Sequence, residues 1–186
     1  LLTDQITDAS GNGHTGTIFN TIEYPSLPPI PGNAAGMTFD GATGYVKAEY
    51  DGEGNNPLAL KGDMTVEFWV NPESFGSGRI FSFSGESTTL DDGPNNSLYE
   101  LYITTGGNVQ WIQEHGEGVD ASPAVFTSTG ITTGTWSHVA LTRDAEAQTM
   151  TLYVDGVAVG SPISYPNHPT GGEDGDLFIG VNGGMQ

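Results

Sequence analysis

Apolar and polar residues alternate one by one through this chain, and no long amphipathic run at helical spacing is present. In Trp136-Ser-His-Val-Ala-Leu-Thr-Arg, Val139 and Leu141 alternate with His138, Ala140 and Thr142, the period of a half-buried strand. Met150-Thr-Leu-Tyr-Val-Asp-Gly-Val-Ala-Val-Gly reads as a hairpin. Val154 and Val157 flank Asp155 and Gly156, the pair that most readily takes the positive φ angles of a type I′ turn. In Met64-Thr-Val-Glu-Phe-Trp-Val-Asn, Met64, Val66, Phe68 and Val70 share one face, which is assigned to the core, and Thr65, Glu67 and Trp69 share the other. Trp69 is then an exposed aromatic platform or a packing residue. Packing is the expectation, because large sandwiches bend and bury parts of both faces.

The same reading predicts strands over residues 18–19, 36–39, 45–48, 64–71, 79–84, 98–104, 109–113, 124–127, 136–143, 150–154, 157–160 and 176–180. Residues 4–16 form a polar, glycine-rich loop, and residues 24–32 a proline-rich crossing that cannot join a central ladder. Long polar or acidic loops, 85–96, 114–122 and 165–174, are where function is expected to reside on such a scaffold. With 28 glycines and 11 prolines punctuating short segments rich in Val, Ile, Thr, Phe and Tyr, the chain is all-β. Its 186 residues suffice for one domain with a sizeable core.

Charge narrows the partners. Against 23 Asp and Glu stand only Lys47, Lys61, Arg79 and Arg143, a formal net charge of −19 that disfavours nucleic acid and anionic membranes. The natural counter-charge is a cation. Most of the acidic residues serve solubility in a salty exterior, and a few in Gly- and Asn-rich loops suit calcium, which prefers oxygen ligands. The absence of cysteine excludes disulfides, thiolate metal sites and a cysteine nucleophile. No apolar segment is long enough for membrane insertion as a helix, and no basic stretch precedes an apolar run, so an export signal is expected to lie outside these residues.

Asp8-Ala-Ser-Gly-Asn-Gly-His, Met37-Thr-Phe-Asp-Gly-Ala-Thr-Gly-Tyr-Val, Met64-Thr-Val-Glu-Phe-Trp-Val, Trp136-Ser-His-Val-Ala-Leu, Leu152-Tyr-Val-Asp-Gly and Leu177-Phe-Ile-Gly resemble, in that order, the laminin-G-like, concanavalin A-like jelly-roll domains. The resemblance spans nearly the whole chain. It implies a two-sheet antiparallel jelly-roll sandwich with six or seven strands per sheet, one sheet concave, and calcium commonly held at the rim. Such modules occur in bacterial adhesins, beside glycoside hydrolases and in lectin-like proteins, so function has to be argued from the site. The expectation is a non-catalytic, calcium-dependent carbohydrate-binding or adhesion module of an exported bacterial surface protein, extracellular or at the cell surface. Its partners would be a glycan or other cell-surface ligand and neighbouring domains of a larger chain. A structural spacer with calcium for rigidity is the alternative, and a glycoside hydrolase the third reading. Family members also open with an apolar, Trp-containing strand and close with a further strand; both are expected to be clipped here.

The residues offer several candidate sites. The loop from Asp8 to Gly16 has a carboxylate at Asp8, an amide at Asn12 and glycines that let carbonyls turn inward. The resemblance implies calcium there, held by Asp8, Asn12 and the backbone oxygen of His14; the alternative is an Asx-type turn. Asp40 either approaches that loop or starts a turn with Gly41. Asp91, Asp92, Asn95 and Asn96 gather carboxylates and amides suited to a second cation or to sugar hydroxyls, or simply to a flexible loop. Tyr102 and Trp111 could stack on a sugar ring while Glu100 and Gln113 reach its hydroxyls, with core packing as the competing role. Glu49-Tyr-Asp-Gly-Glu53 is similar to a glucanase signature, but Tyr50 and Gly52 replace its apolar separators and favour a turn, so no catalysis is expected. His138 is read as a core histidine satisfied between strands.

Overall fold

A chain whose side chains alternate in polarity can bury its apolar half only by laying one sheet on another. The structure, a computed structural model, describes residues 5–20, 22–23, 36–50, 52, 56–76, 78–84, 97–113, 124–165 and 175–180, with β-strands and no helix among them. The strands are β1 (Gln5–Ile6), β2 (Gly16–Phe19), β3 (Ile22–Glu23), β4 (Thr38–Phe39), β5 (Tyr45–Ala48), β6 (Met64–Val70), β7 (Arg79–Ser84), β8 (Ser97–Ile103), β9 (Val109–Gln113), β10 (Ala124–Phe126), β11 (Ser137–Asp144), β12 (Thr149–Val154), β13 (Val157–Ala158), β14 (Ile163–Ser164) and β15 (Asp176–Ile179). An eight-stranded sheet runs β1-β2-β5-β15-β7-β8-β9-β10, and a five-stranded sheet runs β13-β12-β11-β6 with β14 also on β12. A separate ribbon pairs β3 with β4. Every pairing in the large sheet is antiparallel, and β15, late in sequence, lies between β5 and β7.

The expected two-sheet antiparallel sandwich is thus observed, with eight and five strands in place of six or seven in each. Strands β1, β3 and β14, unforeseen in the alternation, have two residues apiece, too few to carry a period.

One core lies between the sheets. Phe83, Leu101, Val109 and Trp111 from the large sheet and Val139, Leu141, Met150 and Leu152 from the small one are each 0 % exposed and share one apolar cluster. The assignment of Met64, Val66, Phe68 and Val70 to the inner face holds, with Met64 in the cluster and the other three packed against it. Arg143 ends an inner-facing row, only 4 % exposed, and its Nη1 donates to the carbonyls of Lys61 (2.9 Å) and Gly62 (3.1 Å). A buried guanidinium is tolerated there because its N–H groups are satisfied by the two turn carbonyls. The Tyr165 hydroxyl likewise bonds both the N–H and the carbonyl of Gln113, and burial pushes its pKa up to about 12.

The hairpin predicted at Asp155-Gly156 forms, with φ of 51° and 78° at the two residues and Val154 opposite Val157. Its Asp155 Oδ1 also accepts the His138 N–H at 2.8 Å, which ties the turn to β11. At the far side of the large sheet, Gly180 (φ 78°) follows β15, and the Phe39 ring of the β3–β4 ribbon covers it so closely that a Cβ would sit 2.2 Å from Cδ1. Gly180→Ala is therefore expected to destabilise by about 1–3 kcal/mol from overpacking on top of the left-handed backbone cost of about 1–2 kcal/mol. Gly156→Ala, whose Cβ meets nothing within 4 Å, should show the second effect alone. Denaturant unfolding of the two variants tests the difference.

Candidate functional site

Cross-strand register decides which residues of the large sheet turn toward the partner sheet and which turn away from it. Leu101 pairs with Trp111 and Tyr99 with Gln113, so all four turn toward the partner sheet; Glu100 pairs with Ile112 and Tyr102 with Gln110, and these turn away. Trp111, expected as a possible stacking platform, is 0 % exposed, stacked on Tyr99 at 5.4 Å, and donates its indole N–H to Gln113 Oε1 at 3.3 Å. Its role is core packing, and Gln113 serves it there. The alternation of Val109, Trp111 and Gln113 with Gln110 and Ile112 mixes polar and apolar on both faces, so periodicity alone did not separate them. Gln110, missed in the sequence, is the β9 residue beside Tyr102.

Across the outward face, the register places Lys47, Phe178, Ser82, Glu100 and Ile112 in one row on β5, β15, β7, β8 and β9. Three strand spacings put Lys47 and Glu100 roughly 14 Å apart. Glu100, 4 % exposed, is held from both oxygens: Oε1 accepts Arg79 Nε at 2.9 Å and Oε2 accepts the Tyr102 hydroxyl. The Arg79 guanidinium lies 5.5 Å from the Tyr102 ring centroid, so acid, base and phenol form one locked group. Burial, then the bond to Glu100, raises the Tyr102 pKa above the ordinary phenol range.

At the other end of the row Lys47 bonds Asp176 (2.9 Å) and Glu49 (3.0 Å) and lies 5.9 Å from the Phe178 ring centroid. Burial opposes its charge, yet the two carboxylates prevail and its pKa is raised. Arg79 and Lys47 are half of the four basic residues in the chain, and neither was singled out as a site residue in the sequence. Alternation in β5 turns Lys47 outward between the buried Val46 and Ala48, whereas alternation in β7 would set Arg79 on the face of Phe81 and Phe83; the register shift between Arg79 and Phe81 is what turns it outward beside Tyr102.

The Asp8 loop closes on itself. Asp8 Oδ1 accepts the Ser10 N–H (2.8 Å), and Oδ2 accepts Ser10 Oγ (2.8 Å) and the His14 N–H (3.0 Å). Asp40 Oδ1 accepts the N–H groups of Ala42 (2.9 Å), Thr43 (2.8 Å) and Gly44 (2.9 Å), and Oδ2 accepts Thr43 Oγ1 (2.8 Å). A carboxylate has about four acceptor positions, so Asp40 is filled and Asp8 nearly so. Calcium takes roughly six to eight oxygens, and here N–H and O–H donors occupy the places it would need. Among the described residues no three His, Asp or Glu side chains gather as a metal cluster. In this structure Asp8 and Asp40 make the turn alternative, and Asn12 is exposed with its N–H on Ser10 Oγ at 3.2 Å; calcium at Asp8, Asn12, His14 and Asp40 is decided by the melting experiment below. These bonds hold the carboxylates ionised, Asp8 chiefly through Ser10, lowering its pKa to about 2, and Asp40 through Gly44, Ala42 and Thr43, lowering it further.

On the outer face of the small sheet, Trp69 is 44 % exposed, against the packing role expected for it. Among the described residues His138 lies against it, its ring tilted to the indole at 5.2 Å. His138 is likewise not a core histidine: it stands on the outward face of β11, with Nε2 3.5 Å from Glu67 Oε2. Asp91, Asp92, Asn95, Asn96, Asp51 and Glu53 lie outside the described residues. Glu49 is exposed and bound to Lys47.

The chain belongs to the concanavalin A-like lectin/glucanases superfamily, whose model matches residues 40–186. No curated protein matches it. Among solved structures, domain 4 of AbnA, a GH43 extracellular arabinanase from Geobacillus stearothermophilus solved with arabinotriose, is similar with a TM-score of 0.61 at 19% identity, over 94% of this chain and 77% of that one. The CBM40 of a Ruminococcus gnavus IT-sialidase bound to α2,3 sialyllactose gives 0.52 at 16% identity over 69% and 68%. The binding domain of botulinum neurotoxin DC in complex with SialylT gives 0.60 at 11% identity over 94% of this chain and 40% of that one. At these identities the shared property is the fold.

Two solution experiments follow from the turn carboxylates. Because their folded-state pKa values lie below the ordinary 3.8, their stabilisation is complete above about pH 4 and is lost as pH falls through the folded values, near 2 for Asp8. Asp40→Asn should accordingly lower Tm at pH 6, and the gap to the parent should narrow as the pH drops below about 4. In the second, melting in EDTA and in millimolar calcium should coincide, whereas an ion at a hundredfold its Kd would add about 2.7 kcal/mol. A calcium-dependent rise in Tm that Asp8→Asn removes would restore these residues to metal binding.

Proposed function

We propose that this chain is a non-catalytic carbohydrate-binding module that holds a glycan across the outward face of the eight-stranded sheet, in a protein that works outside the cell. The observation that carries this reading is the Glu100–Arg79–Tyr102 group, in which a buried carboxylate on the side of the sheet turned away from the partner sheet fixes the half-buried Arg79 and Tyr102 from both of its oxygens. A sugar is recognised by aimed donors and acceptors for its hydroxyls and a flat ring for its C–H face. Arg79, Tyr102 and neighbouring Gln110 supply both, and their mutual contacts already restrict the side chains, so binding has less order left to impose. The relatives solved with arabinotriose and with sialyllactose support the ligand class, and the extracellular arabinanase supports the location.

Binding rather than hydrolysis is favoured because glycoside cleavage uses a pair of carboxylates free to act as acid, base or nucleophile. Glu100 is engaged by Arg79 and Tyr102, and Glu49 by Lys47. Recognition in this reading proceeds without calcium, since the sheet face presents organic donors and acceptors of its own. A net charge of −19 speaks against nucleic acid on any face.

Calorimetric titration with arabinotriose, sialyllactose and neutral gluco-oligosaccharides tests the proposal. At least one is expected to bind, and Gln110→Ala and Tyr102→Ala are each expected to weaken it about tenfold, with Gln110→Ala leaving Tm nearly unchanged. Silence across the panel, or binding indifferent to both substitutions, would remove the outward face from consideration.

A further inference from the structure

The asparagines of the described residues sit in unlike surroundings. Asn20 donates its side-chain amide to the Thr43 carbonyl at 2.8 Å. Asn56, 7 % exposed, donates to the Gly175 carbonyl at 2.7 Å and accepts the Leu58 N–H at 3.0 Å. Asn56 and Asn71 each precede a proline, which has no N–H, and Asn108 precedes the buried Val109 of β9. Asn12 differs from all of them. It is exposed in the loop between β1 and β2, no hydrogen bond holds its side-chain amide among the described residues, and Gly13 follows it. Gly13 is exposed too, with a φ of 86°; its N–H has no partner among the described residues, and nothing lies within 4 Å of the place a Cβ would take.

We infer that Asn12 is a site of spontaneous deamidation, a modification that replaces its amide by a carboxylate and unlocks the Asp8 turn. The reaction needs only the Gly13 nitrogen and water. Hydroxide takes the Gly13 N–H proton, the nitrogen attacks Asn12 Cγ, the Cγ–Nδ2 bond breaks, and the nitrogen leaves as ammonia with a proton from solvent, closing a five-membered succinimide. Water then opens the ring. Attack at Cγ gives aspartate, and attack at the main-chain carbonyl carbon gives isoaspartate, in which the chain runs on through Cβ and Cγ. A glycine in the attacking position favours closure because no Cβ crowds the forming ring, and an exposed loop favours it because no ladder has to break for the backbone to turn. The same ring can close from an Asp-Gly pair with loss of water, but from a protonated carboxyl. Asp40 and Asp155, which also precede glycine, are withheld from it: Asp40 accepts four N–H and O–H bonds, and Asp155 Oδ1 accepts the His138 N–H. The consequence at residue 12 follows from its place between Ser10 and His14, which Asp8 holds together. Isoaspartate lengthens the main chain by one carbon between those anchors, so the Asp8 bonds cannot all be kept. Aspartate leaves the chain length unchanged and the turn closed.

Incubation of the folded chain in mildly alkaline buffer, followed by chymotryptic peptide mapping with mass spectrometry, tests the inference. Asn12 is expected to convert to aspartate and isoaspartate more than about ten times faster than Asn20 or Asn108. Asn12→Gln, whose ring would need a sixth member, is expected to stay intact. After chromatographic separation the isoaspartate form is expected to melt below the parent, and Asn12→Asp close to it. The inference fails if the folded chain keeps Asn12 over the time in which the chain unfolded in urea converts it, or if Asn20 and Asn108 convert as fast. An isoaspartate form that melts with the parent would overturn the unlocking of the turn. Asn182-Gly183, a further such pair, lies outside the described residues and is followed in its own peptide.

Discussion

The structure depends on the interdigitation of two apolar faces, with Leu101 and Trp111 of one sheet and Val139, Leu141 and Leu152 of the other excluded from water. Side chains in a strand alternate with a period of two, so anchoring one residue of a pair inward fixes the direction of every other residue along the strand. Burying Leu101 is what aims Glu100 and Tyr102 outward; burying Val139 and Leu141 is what aims His138 and Ala140 outward. The outward surfaces are, in this sense, the complement of the core.

Electrostatics works within that frame under an unusual constraint. With four basic residues against 23 acidic ones, each cation has an outsized effect, and three of them are spent on architecture. Arg143 caps the carbonyls of a turn, Arg79 steadies Glu100, and Lys47 bridges Asp176 and Glu49. Two other carboxylates are held by neutral donors. Asp8 and Asp40 show how, each collecting N–H and O–H groups from its own glycine-containing loop. A motif rich in Asp, Asn and Gly therefore serves two chemistries equally well on paper, cation binding and turn locking, and the direction of the surrounding N–H bonds decides between them.

The two outward faces differ in composition. The large sheet presents a row in which charged groups are already paired, which lowers the cost of ordering them around a polar ligand. The small sheet presents an uncovered indole with threonines and a single carboxylate.

Much of the fold was determined by the sequence itself. Alternation in residues 64–70 and 137–144, and the Asp155-Gly156 turn, follow from local geometry that a chain cannot evade: a period of two, and positive φ where Asp-Gly allows it. The order of motifs was enough to identify the sandwich. What only the tertiary structure decided was which way an ambiguous strand faces and what a polar loop does with its oxygens. Trp111 and Gln110 belong to a strand with apolar and polar members on both faces, and its pairing with Leu101 selected between them. Trp69 and His138 sit where burial depended on whether another layer crosses the small sheet, and none of the described elements does. For Asp8 and Asp40 composition names the atoms present, whereas hydrogen bonding, a directional interaction, names the N–H and O–H groups they face.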